Sequence, residues 1–113
     1  MAEGCIFCRI ARGEIPATIV AESASSIAFR DIGAQAPTHI LVIPRAHVAS
    51  LNQLDDAILL ADMFSLVRRV VGAERIADSG YRVVVNTNAD GGQSVHHLHL
   101  HVLGGRALSW PPG

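Results

Sequence analysis

The sequence predicts an α+β fold on an antiparallel sheet, and three observations carry that expectation. Short β-prone segments follow one another at hairpin-like spacing near the start, one long stretch has helical period, and alternating strands lie on either side of it. At 113 residues the chain is expected to form one domain, residues 1–113, with enough apolar residues to fill a core.

The elements follow in order. Cys5 to Arg12 reads as a short helix that stops at Gly13, with Pro16 barring its continuation. Ala17 to Ala21 and Ser26 to Arg30 read as two strands joined across Glu22-Ser23-Ala24-Ser25. Thr38 to Ile43, ending at Pro44, is apolar on both faces, as expected of a strand covered on both sides. From about Asn52 to Ala77 the period becomes helical. Asp55, Asp62, Ser65 and Arg69 mark a polar face, and Ile58, Ala61, Phe64, Val67 and Val71 an apolar one. Asp55 and Asp56 in the first turns and Arg75 near the end suit the helix dipole. After Gly80, Tyr81 to Val85 reads as a strand ending at Asn86, Thr87 to Ser94 as a polar loop, and His97 to Leu103 as the last strand.

Four of the six histidines fall between Gly91 and Gly105. On a strand, side chains alternate, so His97, His99 and His101 share one face while Leu98, Leu100 and Val102 take the other. Neighbouring imidazoles in such a row lie roughly 6.6 Å apart along the strand, close enough for two to address one phosphate. A solvated sheet face and a three-histidine metal site are competing readings. The preceding Asp90-Gly91-Gly92-Gln93-Ser94 favours phosphate chemistry, because glycines let the backbone approach closely and turn N–H groups toward an anion. A neutral imidazole can attack phosphorus and form an N–P bond that water then cleaves. Central His99 is the favoured nucleophile, His101 a donor to a phosphoryl oxygen, and a helper imidazole the proton carrier.

His97-Leu98-His99-Leu100-His101-Val102-Leu103 resembles the signature of the histidine-triad superfamily. Cys5-Ile6-Phe7-Cys8, Phe29-Arg30-Asp31-Ile32, Gln35 to Pro44, Asn86, Gly91 to Val95 and Trp110-Pro111-Pro112-Gly113 extend the resemblance to the Hint branch, the histidine-triad nucleotide-binding proteins. It covers nearly the whole chain. The resemblance implies a five-stranded antiparallel sheet with one long and one short helix, and a homodimer whose sheets join across the interface. It also implies a purine nucleoside phosphoramidase that releases AMP from amidated AMP. His99 would carry the transient AMP, and Asp31 would bond the ribose hydroxyls. Ile6, Phe7, Phe29 and Ile32 would pack around the base. Asn86, Gly92, Gln93, Ser94 and His101 would hold the phosphate or leaving group, and His39 and His97 would complete the imidazole network. Without the resemblance, Asp31, Asn86 and Ser94 read equally as turn or strand-end residues, and Phe7 and Phe29 as core. His96, on the opposite face from His99, reads as a partly solvated residue where many relatives carry an aromatic.

Cys5 and Cys8, the only cysteines, lie on one side of a helical turn, a spacing that suggests metal or redox chemistry in a reducing compartment. Some histidine-triad relatives hold zinc with this pair, a histidine matching His47, and the first triad histidine, here His97. Others with the same cysteines bind none. A structural zinc at Cys5, Cys8, His47 and His97 is therefore an expectation beside that of two partly buried thiols. No cofactor is expected to be required for catalysis.

Ten acids face nine bases, all arginine, and no basic patch forms, which argues against nucleic-acid or anionic-membrane partners. Met1-Ala2-Glu3-Gly4 has no secretory pattern and no apolar run approaches membrane-spanning length, so the expected location is cytoplasmic. A dinucleoside polyphosphate hydrolase of the same superfamily is the enzymatic alternative. A non-catalytic module that binds AMP or docks a partner is the other.

Overall fold

The computed structural model describes residues 4–113; Met1-Ala2-Glu3, part of the stretch read for a targeting signal, lies outside the described residues. The chain forms β1 (Ile19–Glu22), β2 (Ser26–Arg30), β3 (Thr38–Pro44), β4 (Tyr81–Val85) and β5 (Leu100–Gly104), with helices α1 (Ile6–Ala11), α2 (Ala57–Ala73) and α3 (Asn88–Gly91). The strands make one antiparallel sheet in the order β1-β2-β3-β5-β4. Central β3 is buried at every position, as its two-sided apolar pattern predicts. The two faces pack differently. Ile40, Val42, Leu100 and Val102 meet Met63, Leu66, Val67 and Val70 of α2, while Ile27, Phe29, Leu41 and Ile43 meet Phe7 and Ile10 of α1.

The long helix is shorter than its period suggests, 57–73 instead of 52–77. Its beginning is decided by competing caps. Ser50 caps a three-residue 3₁₀ turn (Leu51–Gln53), and Asp56 Oδ1 then accepts from the N–H groups of Ile58 and Leu59 at 3.0 and 3.1 Å. Its end is a Schellman turn: Arg75 adopts φ 59°, its N–H reaches Gly72 O, and that of Ile76 reaches Val71 O. Thus Asp55 and Asp56 precede the helix and Arg75 follows it. Ile76 turns into the core beside Gly104, where a Cβ would come within 2.7 Å of Ile76 Cδ1.

The buried face of the helix also departs in part from the apolar face its period predicts. Ile58 is 83% exposed and Phe64 42%, whereas Met63, Leu66 and Val70 are buried beside Val67 and Val71. The helix is apolar nearly all round, so period alone leaves its rotation ambiguous. Asp62, assigned to the polar face, is half-buried and accepts from the hydroxyls of Ser23 and Ser26 at 2.6 and 2.8 Å. That clasp fixes the rotation of α2 against the β1–β2 turn.

Three smaller boundaries differ. β1 runs Ile19–Glu22 and not 17–21, and an irregularity in its pairing with β2 falls between Ile19 and Ala21. The polar loop before the histidines contains α3. The last strand runs Leu100–Gly104: β4 ends at Val85, the ladder partner of Leu100, and ahead of it the Leu98 N–H turns to Val48 O although β3 continues to Pro44. Among the described residues, no helix is long and apolar enough to cross a membrane.

Candidate active site

A cavity of about 550 Å³ opens on the α1 face of the sheet. Such a volume accommodates a mononucleotide. Phe7, Phe29, Leu41, Ile6 and Ile32 give it apolar walls, and Asp31, Ser94, His99 and His101 contribute polar groups. Phe7 meets Phe29 edge to face with centroids 5.6 Å apart, and meets His99 at 5.2 Å. Ile32 is fully exposed, an apolar side chain presented to the cavity mouth with no core to hold it.

Although His97 and His99 precede the paired part of β5, alternation persists through them. Leu98 is buried in the α2 core, and its N–H donates to Val48 O at 2.7 Å in place of a ladder bond. His97 and His99 are buried on the opposite side, with His101 half-buried next to them. His99 and His101 lie 5.0 Å apart by ring centroid.

The hydrogen bonds assign the ring protons. His99 Nδ1 lies 2.7 Å from His97 O, and a carbonyl only accepts, so Nδ1 carries the proton and Nε2 keeps its lone pair. The Gln35 N–H donates to His39 Nδ1 at 3.0 Å, which puts the proton of neutral His39 on Nε2. That nitrogen stands 2.9 Å from His101 Nδ1, so neutral His101 carries its own proton on Nε2. His39 and His101 meet diagonally because Leu41, not His39, is directly opposite His101 in the β3–β5 register.

Burial, with His99 and His39 alongside, lowers His101 from the usual 6.5 to about 4, against a weaker pull from Asp31. Burial likewise lowers His39, again opposed by Asp31. Between about pH 4 and 6.5 the unfolded chain thus binds more protons than the folded one. Stability is fully present above pH 6.5 and is lost as pH falls through the folded value. Urea unfolding is expected to show a loss on the order of 2 kcal/mol from about pH 7 to 4.5, flattened in His101→Gln. An unchanged slope in that variant would remove His101 as the cause.

The glycine loop acts on the site partly through its own architecture. Gln93 is buried, with Oε1 accepting from Asn88 N–H and Nε2 donating to Ala49 O and Val95 O at 2.8 and 3.1 Å. Gly92 takes φ 78° at the end of α3, a left-handed conformation that suits glycine. Asn86, Gly92 and Gln93 do not line the cavity, whereas Ser94 does. His39 and His97 stand behind the lining rings, and His96 is exposed. Ile10, Ile15, Pro16, Ala17, Thr18 and Val95 also line the cavity, and no sequence pattern marks them as site residues. They are ordinary apolar or small residues, and only the folding of α1 and the segment after it across the sheet gathers them.

Behind the histidine row, donor atoms of Cys5, Cys8, His47 and His97 lie within 4.8 Å of one another. Cys5 Sγ and Cys8 Sγ approach His97 Nδ1 at 3.3 and 3.5 Å, and Cys8 Sγ approaches His47 Nδ1 at 3.3 Å. A tetrahedral zinc with two thiolates and two imidazoles requires sulfur-to-nitrogen separations of about 3.5 Å. The donor set fits. His97 Nε2–H donates to Pro44 O at 2.8 Å, leaving Nδ1 as the lone-pair nitrogen that coordination needs. Burial holds the His97 ring toward its neutral form, as do nearby His47 and His99, against the bond to Pro44.

Comparison with known proteins places these features. The family model described as HIT domain matches residues 12–108. A purine nucleoside phosphoramidase from Escherichia coli K12 is 46% identical over 110 residues, 96% of this chain and 92% of that protein. An uncharacterized HIT-like protein from Synechococcus elongatus is 48% identical over 115 residues, covering 100% of both chains. The crystal structure of a HIT family hydrolase from Legionella pneumophila Philadelphia 1 superposes with a TM-score of 0.94 at 51% identity, over 97% of this chain and 100% of that one.

Proposed function

Since the chain belongs to the HIT domain family, we propose that it is a nucleotide hydrolase that cleaves the P–N bond of adenosine 5′-phosphoramidates to AMP and an amine. One observation carries the reading. His99 has its Nδ1 proton anchored to a backbone carbonyl and its other nitrogen available, on the wall of a cavity sized for a mononucleotide. In this reading Ile6, Phe7, Phe29 and Ile32 hold the base and Asp31 the ribose. Ser94 and the His101 Nε2–H address the phosphate, with Asn86, Gly92 and Gln93 shaping the loop around it. His99 Nε2 attacks phosphorus, the P–N bond breaks, and the amine departs with a proton. Water then cleaves the N–P bond, returning a proton and the neutral ring. The anchored Nδ1–H stabilises the imidazole as it becomes positive. No step passes through a metal.

A mass measurement after mixing with an adenosine 5′-phosphoramidate is expected to find an adenylyl adduct that maps to His99. An adduct on another side chain, or release of AMP with no adduct under rapid quenching, counts against the assignment. Competition with a dinucleoside polyphosphate separates this activity from the related hydrolase, and preferential turnover of that substrate would replace it.

We further propose that Cys5, Cys8, His47 and His97 hold a structural zinc, which when bound cross-links α1 to the segment carrying the nucleophile. Metal analysis of gently purified protein is expected to give near one equivalent per chain; less than about a tenth ends the idea. Among the described residues no strand pairs with the outer edge of β4, and there we place a homodimer contact that extends the sheet. A solution mass near that of a single 12.0 kDa chain would exclude it. This reading places the protein in the cytoplasm; fractionation that finds it outside would refute that.

A further inference from the structure

Resting on the reading of Asp31 as the ribose contact and His99 as the nucleophile, we propose that Asp31 couples recognition of the ribose hydroxyls to the strength of His101 as a hydrogen-bond donor. The residues that bind the sugar and those that face the phosphate share one proton on His39.

The His39 Nε2 proton bonds to His101 Nδ1 at 2.9 Å, and the carboxylate oxygen Asp31 Oδ2 lies 3.3 Å from the same nitrogen, close enough to attract that proton electrostatically without a directed hydrogen bond. It cannot move to Nδ1, because the Gln35 N–H already donates there at 3.0 Å. Asp31 Oδ1 is engaged by the Gly33 N–H at 2.8 Å, so Oδ2 is the oxygen that faces His39. Asp31 also lines the cavity, and its side chain is 21% exposed, so the same carboxylate is open to a ligand.

Hydroxyl donors placed on Asp31 take up part of its negative charge and weaken its hold on the His39 proton. The His39–His101 hydrogen bond, less opposed by that charge, then strengthens. Drawing density from Nδ1 strengthens the Nε2–H of the same ring as a donor, the cooperativity expected of a hydrogen-bonded chain in a poorly hydrated site. Every proton stays on its own nitrogen; only the sharing changes. The ionisable groups next to His101 are His39, His99 and Asp31, and all three belong to the chain of contacts described. The ribose hydroxyls therefore contribute to turnover as well as to affinity, and the site selects ribonucleotides over sugars lacking them in kcat.

The test compares adenosine 5′-phosphoramidate with its 2′,3′-dideoxy analogue, separating kcat from KM. With the wild-type chain, removing both hydroxyls is expected to lower kcat by about tenfold, and in Asp31→Asn the kcat ratio of the two substrates should fall to about two or less. A merely structural or affinity role moves KM and leaves the wild-type kcat values within about twofold, which overturns the proposal. Nitrogen-15 NMR of the wild-type chain supplies a measurement independent of turnover and of the variant's folding. Both ligands bring a phosphate to the His101 Nε2–H, so AMP should displace the His101 Nδ1 resonance clearly further than 2′,3′-dideoxy-AMP at saturation, whereas equal displacement by both overturns the coupling. Failure of the wild-type chain to hydrolyse either phosphoramidate counts separately against the hydrolase reading, since the NMR comparison still decides the coupling.

Discussion

His99→Asn is expected to slow AMP release from an adenosine 5′-phosphoramidate by about 10⁴-fold, equivalent to about 5.5 kcal/mol of transition-state stabilisation. The amide of asparagine can still donate to the His97 carbonyl, which His99 Nδ1 engages at 2.7 Å, so the local backbone keeps its partner. What disappears is the lone pair facing phosphorus. The apolar walls that would hold the base are untouched, and AMP affinity should remain within a few-fold of wild type. Steady-state kinetics with a binding titration check both halves. Turnover within tenfold of wild type would show that another group accepts the nucleotidyl moiety.

Leu98→Ala should have the largest effect on stability, about 3 kcal/mol, with an apparent Tm lower by about 10 °C. Leu98 is 1% exposed and packs among Met63, Leu66 and their neighbours beneath α2, so truncation removes apolar contact and leaves a cavity. It also lies between His97, whose carbonyl orients the nucleophile, and His99 itself. Turnover should accordingly fall, because loosening this point displaces both rings. The adjacent His96 is exposed, and His96→Ala should leave the urea midpoint nearly unchanged. A cost below about 1 kcal/mol for Leu98→Ala would mean that the alternation across this segment anchors far less than its burial suggests.

The two substitutions sit side by side in the sequence and act on opposite faces of the sheet, which is why the site was so legible. Alternation needs only the local geometry of extended backbone, and it separates the leucines from the imidazoles even where the strand ladder has not begun. The same logic read β3 as a strand covered on both sides. It failed for α2, where apolar residues surround the helix and period gives no unique face. There the period points Ile58 and Phe64 inward, whereas Met63 and Leu66 are the residues that bury. The Asp62 clasp to Ser23 and Ser26 joins segments about forty positions apart, a separation at which no local pattern carries information.

By itself, then, the sequence determined that three imidazoles share a side, that a glycine turn precedes them, and that two thiols stand one helical turn apart. These are consequences of backbone period and residue chemistry. Only the tertiary structure decided which ring nitrogen carries each proton, because the deciding partners are the His97 carbonyl, the Gln35 amide and the Pro44 carbonyl, groups every residue type possesses. Only folding, likewise, set Gln93 to bracing the loop and gathered the apolar walls of the cavity from separate segments. Backbone hydrogen-bonding groups carry no side-chain signature, so their placement becomes specific only when distant parts of the chain pack together.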